Sequence, residues 1–165
     1  ILEQYFLGRT FASGIFEDRF GNVRRQFTVD IDGTWDGKTL TLTEDFIFGD
    51  GETETRVWSI DKIAPASYVG TADDVIGSAK GIVAGNTLNW KYDMRLKVGG
   101  SRVKVHFDDW MFLQPNGVLI NKATVSKLGL DIGRVTIAFT KKADADFLST
   151  ISSTSKEPLV ATLAR

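Results

Sequence analysis

Apolar side chains in this chain recur at every second position, in run after run, and this alternation limits the fold more than any other feature. The clearest run is 101–114, SRVKVHFDDWMFLQ. Val103, Val105 and Phe107 fall on one side and Arg102, Lys104 and His106 on the other, the mark of a strand with one buried and one wet face. Continuing the alternation puts Asp109 on the apolar side, between Phe107 and Met111. A carboxylate there needs a partner or a purpose, because burying an uncompensated charge is costly.

The same period extends through most of the chain. Runs over 10–17, 23–33, 39–48, 52–63, 68–75, 78–83, 87–98, 101–114, 118–128 and 134–140 are separated by turn-forming residues such as Asp36-Gly37, Gly49-Asp50-Gly51, Gly85-Asn86 and Pro115-Asn116-Gly117. Residues 68–83 are Gly-rich, and their register is the least specified. Residues 1–7 form an apolar lead-in, read as a helical turn or an edge segment. The spacing predicts an all-β domain of about ten strands without an interior helix. Short connections favour a single antiparallel meander closed into a barrel, which removes exposed edges; a flat sandwich is the main alternative. The barrel is expected over 1–141. Residues 142–165, rich in Ala, Ser, Thr and Asp, are expected to form a separate tail, partly helical or extended.

Composition narrows the function classes. Among 165 residues, Lys plus Arg number 20 and Asp plus Glu 21, a near-neutral balance that argues against a nucleic-acid partner. Cysteine is absent, so disulfides, thiolate metal sites and cysteine nucleophiles are excluded together. The chain begins at Ile1 without a signal-type segment and is read as a mature or trimmed piece.

On the inward registers lie four charges: Arg25, Glu44, Arg56 and Asp109. Two are positive and two negative, so one reading is an internal network of ion pairs. The other is a polar anchor inside a ligand cavity, since a barrel of about ten strands is wider than its own side chains fill. In that reading Arg25 and Arg56 grip an anionic head group, Asp109 and Glu44 orient the arginines, and Phe27, Phe46, Trp58, Trp90, Tyr92, Met94 and Phe107 line the apolar part. His106, the only histidine, is on the outward register and reads as a surface residue. Asp73-Asp74 and Asp108-Asp109 are not natural dyads, because adjacent strand residues face opposite sides. A bulge at Asp108-Asp109 would instead turn Asp108 and Trp110 inward. No metal, cofactor or catalytic residue is assigned.

Several stretches together resemble one family: Gly14-Ile15-Phe16-Glu17-Asp18-Arg19-Phe20-Gly21, Trp35-Asp36-Gly37, Arg56-Val57-Trp58, Gly70-Thr71-Ala72-Asp73-Asp74-Val75, Gly85-Asn86-Thr87-Leu88-Asn89-Trp90 and Asp108-Asp109-Trp110-Met111, with Asn121 after them. The set is similar to an uncharacterised bacterial family, many of whose members are lipoprotein candidates. The resemblance implies a bacterial source and an envelope or periplasmic location, with a cytoplasmic one as alternative. It also implies membrane association through an N-terminal anchor, although no lipobox cysteine stands in this sequence. It supplies no catalytic residues. The expected barrel also resembles the calycin group of lipocalin and fatty-acid-binding proteins, an architectural analogy only.

The sequence therefore leads to an expected function: binding a small, mostly apolar, anionic ligand such as a fatty acid or lipid inside the barrel. Arg25, Glu44, Arg56, Trp58, Trp90, Tyr92, Asp109 and Asn121 are the candidate contacts. The alternatives are an enzyme using Asp109 as acid or base beside an arginine anion site, and a structural or assembly protein of the envelope. A lumen filled by its own side chains would favour the last.

Overall fold

In a computed structural model, which describes residues 1–98 and 100–141, the alternating runs become ten strands preceded by one short helix. The helix is α1 (Leu2–Phe6). The strands are β1 (Gly8–Asp18), β2 (Val23–Trp35), β3 (Thr39–Phe48), β4 (Thr53–Ala64), β5 (Ser67–Thr71), β6 (Val75–Ala84), β7 (Thr87–Val98), β8 (Ser101–Leu113), β9 (Leu119–Lys127) and β10 (Leu130–Thr140). Each pairs antiparallel with its neighbours in sequence, and β1 pairs with β10, so the sheet closes into a barrel. Closure satisfies the backbone groups that an open sheet would leave at its edges. The sandwich alternative is thereby set aside.

Most boundaries move by one to three residues from the sequence reading, and two runs differ more. The run 68–75 is not one strand: β5 ends at Thr71, and Ala72, Asp73 and Asp74 turn the chain into β6 at Val75. β10 begins at Leu130, four residues before the expected start, because Leu128-Gly129 alone makes the turn. The tail 142–165 lies outside the described residues.

Strand connections alternate between the two ends of the barrel. Turns 19–22, 49–52, 72–74 and 128–129, with the β7–β8 connection, form one rim. At the other end, helix α1 folds under the strands as a plug. Leu2 and Phe6 are buried there, and the Phe6 ring meets Phe139 edge-on, their centroids 5.6 Å apart. Gly33 permits the approach: a side-chain carbon built there would lie 1.8 Å from the Phe6 carbonyl oxygen. Glu3 anchors the helix, accepting from Lys62 Nζ at 2.6 Å and from the Tyr68 hydroxyl at 2.7 Å. Burial alone would raise the Glu3 pKa, but those two donors outweigh it and hold the carboxyl below its ordinary value.

Candidate functional site: the barrel lumen

The inward side chains do not fill the interior. A cavity of about 900 Å³ runs from the hairpin rim down to Leu2 and Phe6 of the plug. Its walls are the inward registers read from the alternation, arranged in two aromatic tiers. Near the rim, Phe27, Phe46 and Phe48 cluster with centroids 5.8–6.0 Å apart. Deeper, Trp58 meets Trp90 and Tyr92 edge-on at 5.6 and 5.3 Å, and Tyr92 stacks flat on Phe107 at 5.0 Å. Trp90 has room because two glycines stand opposite it: a side-chain carbon at Gly70 or Gly81 would sit 2.6 or 2.4 Å from its ring. Small residues on one wall thus admit large ones from the next, as close packing of a curved sheet requires.

Arg56 projects from β4 into the upper lumen and is already partnered. Its Nε and Nη2 donate to Asp74 Oδ2 at 2.9 and 2.8 Å, and Nη1 lies 3.7 Å from Glu44 Oε2. Asp74 comes from the β5–β6 turn, Glu44 from the position paired with Arg56 across β3 and β4. All three side chains are largely buried, at 14–16% exposure. Burial would lower the arginine's pKa, but Glu44, Tyr92 and Asp74 reverse that and raise it. Glu44 is pushed up to about 7 by burial and by Asp74, against the pull of Arg56.

Asp109 and Asn121 form a second, deeper polar pair. Asp109 is 5% exposed and Asn121 2%. Asn121 Nδ2 donates to Asp109 Oδ2 at 3.2 Å, while Asp109 Oδ1 and Asn121 Oδ1 have no hydrogen-bond partner. Burial raises the Asp109 pKa to about 7, with Asp108 and Glu44 adding to the rise and Asn121 and Arg56 opposing it. The Tyr92 hydroxyl is held well above its ordinary pKa, first by burial and then by Asp109. No bulge interrupts β8 at Asp108-Asp109; the register with β7 and β9 is continuous, and Asp108 stays on the outer side, bonded to Asn89 and near Lys91. His106 is outside as well, 2.7 Å from Asp93.

The arginine pairings differ from the sequence reading. Arg25 was expected to share an internal anchor with Arg56, oriented by Asp109 and Glu44. It lies instead at the rim, where its strand begins, stacked 3.4 Å over the Phe48 ring and bonded to Glu52 at 2.6 Å, with Asp50 at 3.6 Å. Asp109 pairs with Asn121, not with an arginine. Asp74, from a turn, is the partner that sequence reasoning missed. The signal was present as an acid beside the Gly-rich pair β5 and β6, but alternation does not say where a turn residue points.

Trp58, Trp90, Tyr92, Glu44, Arg56, Asp109 and Asn121 thus share one lumen, and Arg25 stands at its mouth. With both carboxylates near pKa 7, the interior holds fewer full charges at neutral pH than its residue list suggests.

Comparisons with known proteins agree with this architecture. An S-type phycobiliprotein lyase, CPES from Guillardia theta, superposes with a TM-score of 0.58 at 6% identity, covering 84% of this chain and 88% of that one. Rv2717c from M. tuberculosis superposes at 0.57 with 12% identity, covering 84% and 93%. At such identities the likeness is one of fold. No curated protein matches. Residues 1–141, the whole barrel with its plug, match the family described as "Protein of unknown function (DUF3833)", and the chain belongs to that family.

Proposed function

We propose that this protein binds a small, mostly apolar ligand in the lumen of its barrel. The observation that carries the reading is the cavity: about 900 Å³, reaching from an open rim to a plugged base, and walled mainly by aromatic and aliphatic side chains. Ligand pockets typically occupy roughly 300–1,000 Å³ and bury most of the guest among apolar groups. A purely structural barrel of this size gains nothing from a void, since unfilled volume forfeits packing.

The ligand is an amphiphile, a fatty acid or lipid, with its anionic head at the mouth. Arg56 is already paired with Asp74 and lies near Glu44, so among the described residues the deep lumen offers no unpaired cation to a carboxylate. The rim does: Arg95, Lys97 and Arg102 stand around the opening without an ion-pair partner among the described residues, and Arg25, held by Glu52, stands there with them. The apolar body then lies against Trp58, Trp90 and Phe107. The likeness to a phycobiliprotein lyase supports use of this fold around a lumen and does not select the guest. An envelope or periplasmic site of action, the location implied by the family resemblance, belongs to the same proposal and is checked by cell fractionation.

Native mass spectrometry of gently purified protein, with lipid extraction, is the direct test, followed by displacement of a fluorescent fatty-acid probe. A co-purifying amphiphile, and quenching of Trp58 and Trp90 emission on titration, are expected. Absence of any bound molecule together with failure to take up the probe overturns the reading. Asp109, with a pKa near 7, also suits acid–base work. Turnover lost in Asp109→Asn with ligand retained would move the assignment to an enzyme.

A further inference from the structure

Two neighbouring hairpins of the rim end in apolar side chains that the fold does not require to be there. At the tip of the β9–β10 turn, Leu128 is 95% exposed and Leu130 69%. In the β1–β2 turn beside it, Phe20 is 77% exposed and Val23 48%. The two turns adjoin because β1 pairs with β10, with Asp18 opposite Gly133.

Leu128 is the telling residue. Its φ is +51°, and among the described residues it is the only non-glycine in the left-handed region. With Gly129 at +79° it makes a two-residue turn in which both positions need positive φ. Asn, Asp or Gly suits the first of these positions; a leucine there costs backbone energy and exposes nearly its whole side chain to water. At 95% exposure its side chain gains almost no packing that would offset either cost. A residue strained in that way, at a tip, implies an external use.

Cations flank these apolar tips. Arg19 lies over the Phe20 ring at 4.9 Å, Arg24 follows Val23, and Lys127 precedes Leu128. On the next connection around the rim, Arg95, Lys97 and Arg102 are exposed. Three acids belong to this arc: Asp131 is exposed, Glu17 is half-buried opposite Arg134, and Asp18 is engaged by Asn22 and Arg24. The β3–β4 hairpin, which borders the β1–β2 turn on its other side because β2 pairs with β3, is acidic, with Asp50, Glu52 and Glu54, and Arg25 engages the first two. The rim is therefore uneven, apolar and basic over the β1–β2, β9–β10 and β7–β8 connections and acidic at the β3–β4 hairpin.

We propose that this arc of the rim docks on an anionic lipid surface, with Phe20, Leu128 and Leu130 entering the headgroup–acyl boundary and the flanking cations on lipid phosphates. Separate apolar tips ringed by Lys and Arg suit an interface that deforms around them. A protein partner would need a contiguous face of about 800 Å² per side, which isolated turn tips do not offer. Docked in this way, the mouth opens towards the lipid, and an apolar guest could enter without crossing water. The docking itself does not depend on what the lumen holds.

The test is co-sedimentation of the full chain with phosphatidylcholine–phosphatidylglycerol vesicles and with phosphatidylcholine alone. Binding to the mixed vesicles, weakened by salt, is expected. Leu128→Asn supplies the residue the turn prefers, so its thermal midpoint should hold or rise while vesicle affinity falls roughly tenfold, as does that of Phe20→Ser. Lys97→Glu should lower affinity by about fivefold or more. Wild-type protein that ignores the mixed vesicles overturns the proposal, as does vesicle binding unchanged in Leu128→Asn and Phe20→Ser. Because the fluorescent-probe assay in detergent-free buffer reads the lumen separately, a docking variant that still takes up the probe distinguishes failure of docking from failure of ligand binding.

Discussion

Asp109→Asn should make this protein more stable at neutral and alkaline pH, although it removes a buried side chain's charge from the centre of the site. An unfolded aspartate loses its proton near its ordinary value of 3.8, whereas the folded Asp109 keeps it until about 7. Between those values the native state holds a proton that the unfolded state has lost, so stability falls as pH rises across the window and is flat above it. The slope is about 1.36 kcal/mol per pH unit, and the total loss from this one group is about 4 kcal/mol. Asparagine reproduces the shape of the protonated acid without titrating. It can still accept from Asn121 Nδ2, and its own amide can donate to Asn121 Oδ1, which otherwise has no partner. The variant should therefore match the wild type near pH 4 and exceed it by about 2–4 kcal/mol at pH 8, the lower figure allowing for relaxation around the ionised group. Urea unfolding followed by tryptophan emission, in steps from pH 4 to pH 8, measures this directly. Some downward slope should persist in the variant, because Glu44 is also raised to about 7. An Asp109→Asn protein less stable than wild type at pH 8, or one with an unchanged pH slope, would refute the argument that Asp109 is buried without a compensating charge.

Three further outcomes follow from the packing. Arg56→Leu strands Asp74 and Glu44 beside each other and should cost about 3–5 kcal/mol in urea unfolding, with part of the loss recovered in the Arg56→Leu, Asp74→Asn double variant. Gly81→Ala drives a methyl group into the Trp90 ring and should cost about 1–3 kcal/mol, with relief when Trp90 is reduced to Phe; an unaffected midpoint would show that the ring is free to move. Gly33→Ala pushes hardest against the Phe6 carbonyl, at 1.8 Å, and only lightly against Leu42 of the wall, at 3.2 Å, so it should release α1 before it loosens the barrel. Hydrogen exchange at the Tyr5 and Leu7 amides, which are bonded to Ile1 and Glu3, should accelerate while strand amides keep their protection.

Much of this molecule could be read from residue order. Alternation is a local property, and a strand has only two faces, so Trp58, Trp90, Tyr92, Phe107 and Asp109 could be placed inside before any coordinate was known. Turn residues then fixed short connections, and short connections between antiparallel strands leave few topologies other than a meander. What the alternation could not supply was height along the barrel axis and the company each charge keeps. Arg25 and Arg56 share an inward parity, yet one stands at the mouth with Glu52 and the other lies in the wall with Asp74 and Glu44. That difference depends on how far each strand is staggered against the next, and stagger is set by closure of the whole sheet. For the same reason only the tertiary structure could decide that the lumen stays open and that α1 plugs one end. Both depend on side chains from many strands meeting, or failing to meet, across a distance that no single stretch of sequence encodes.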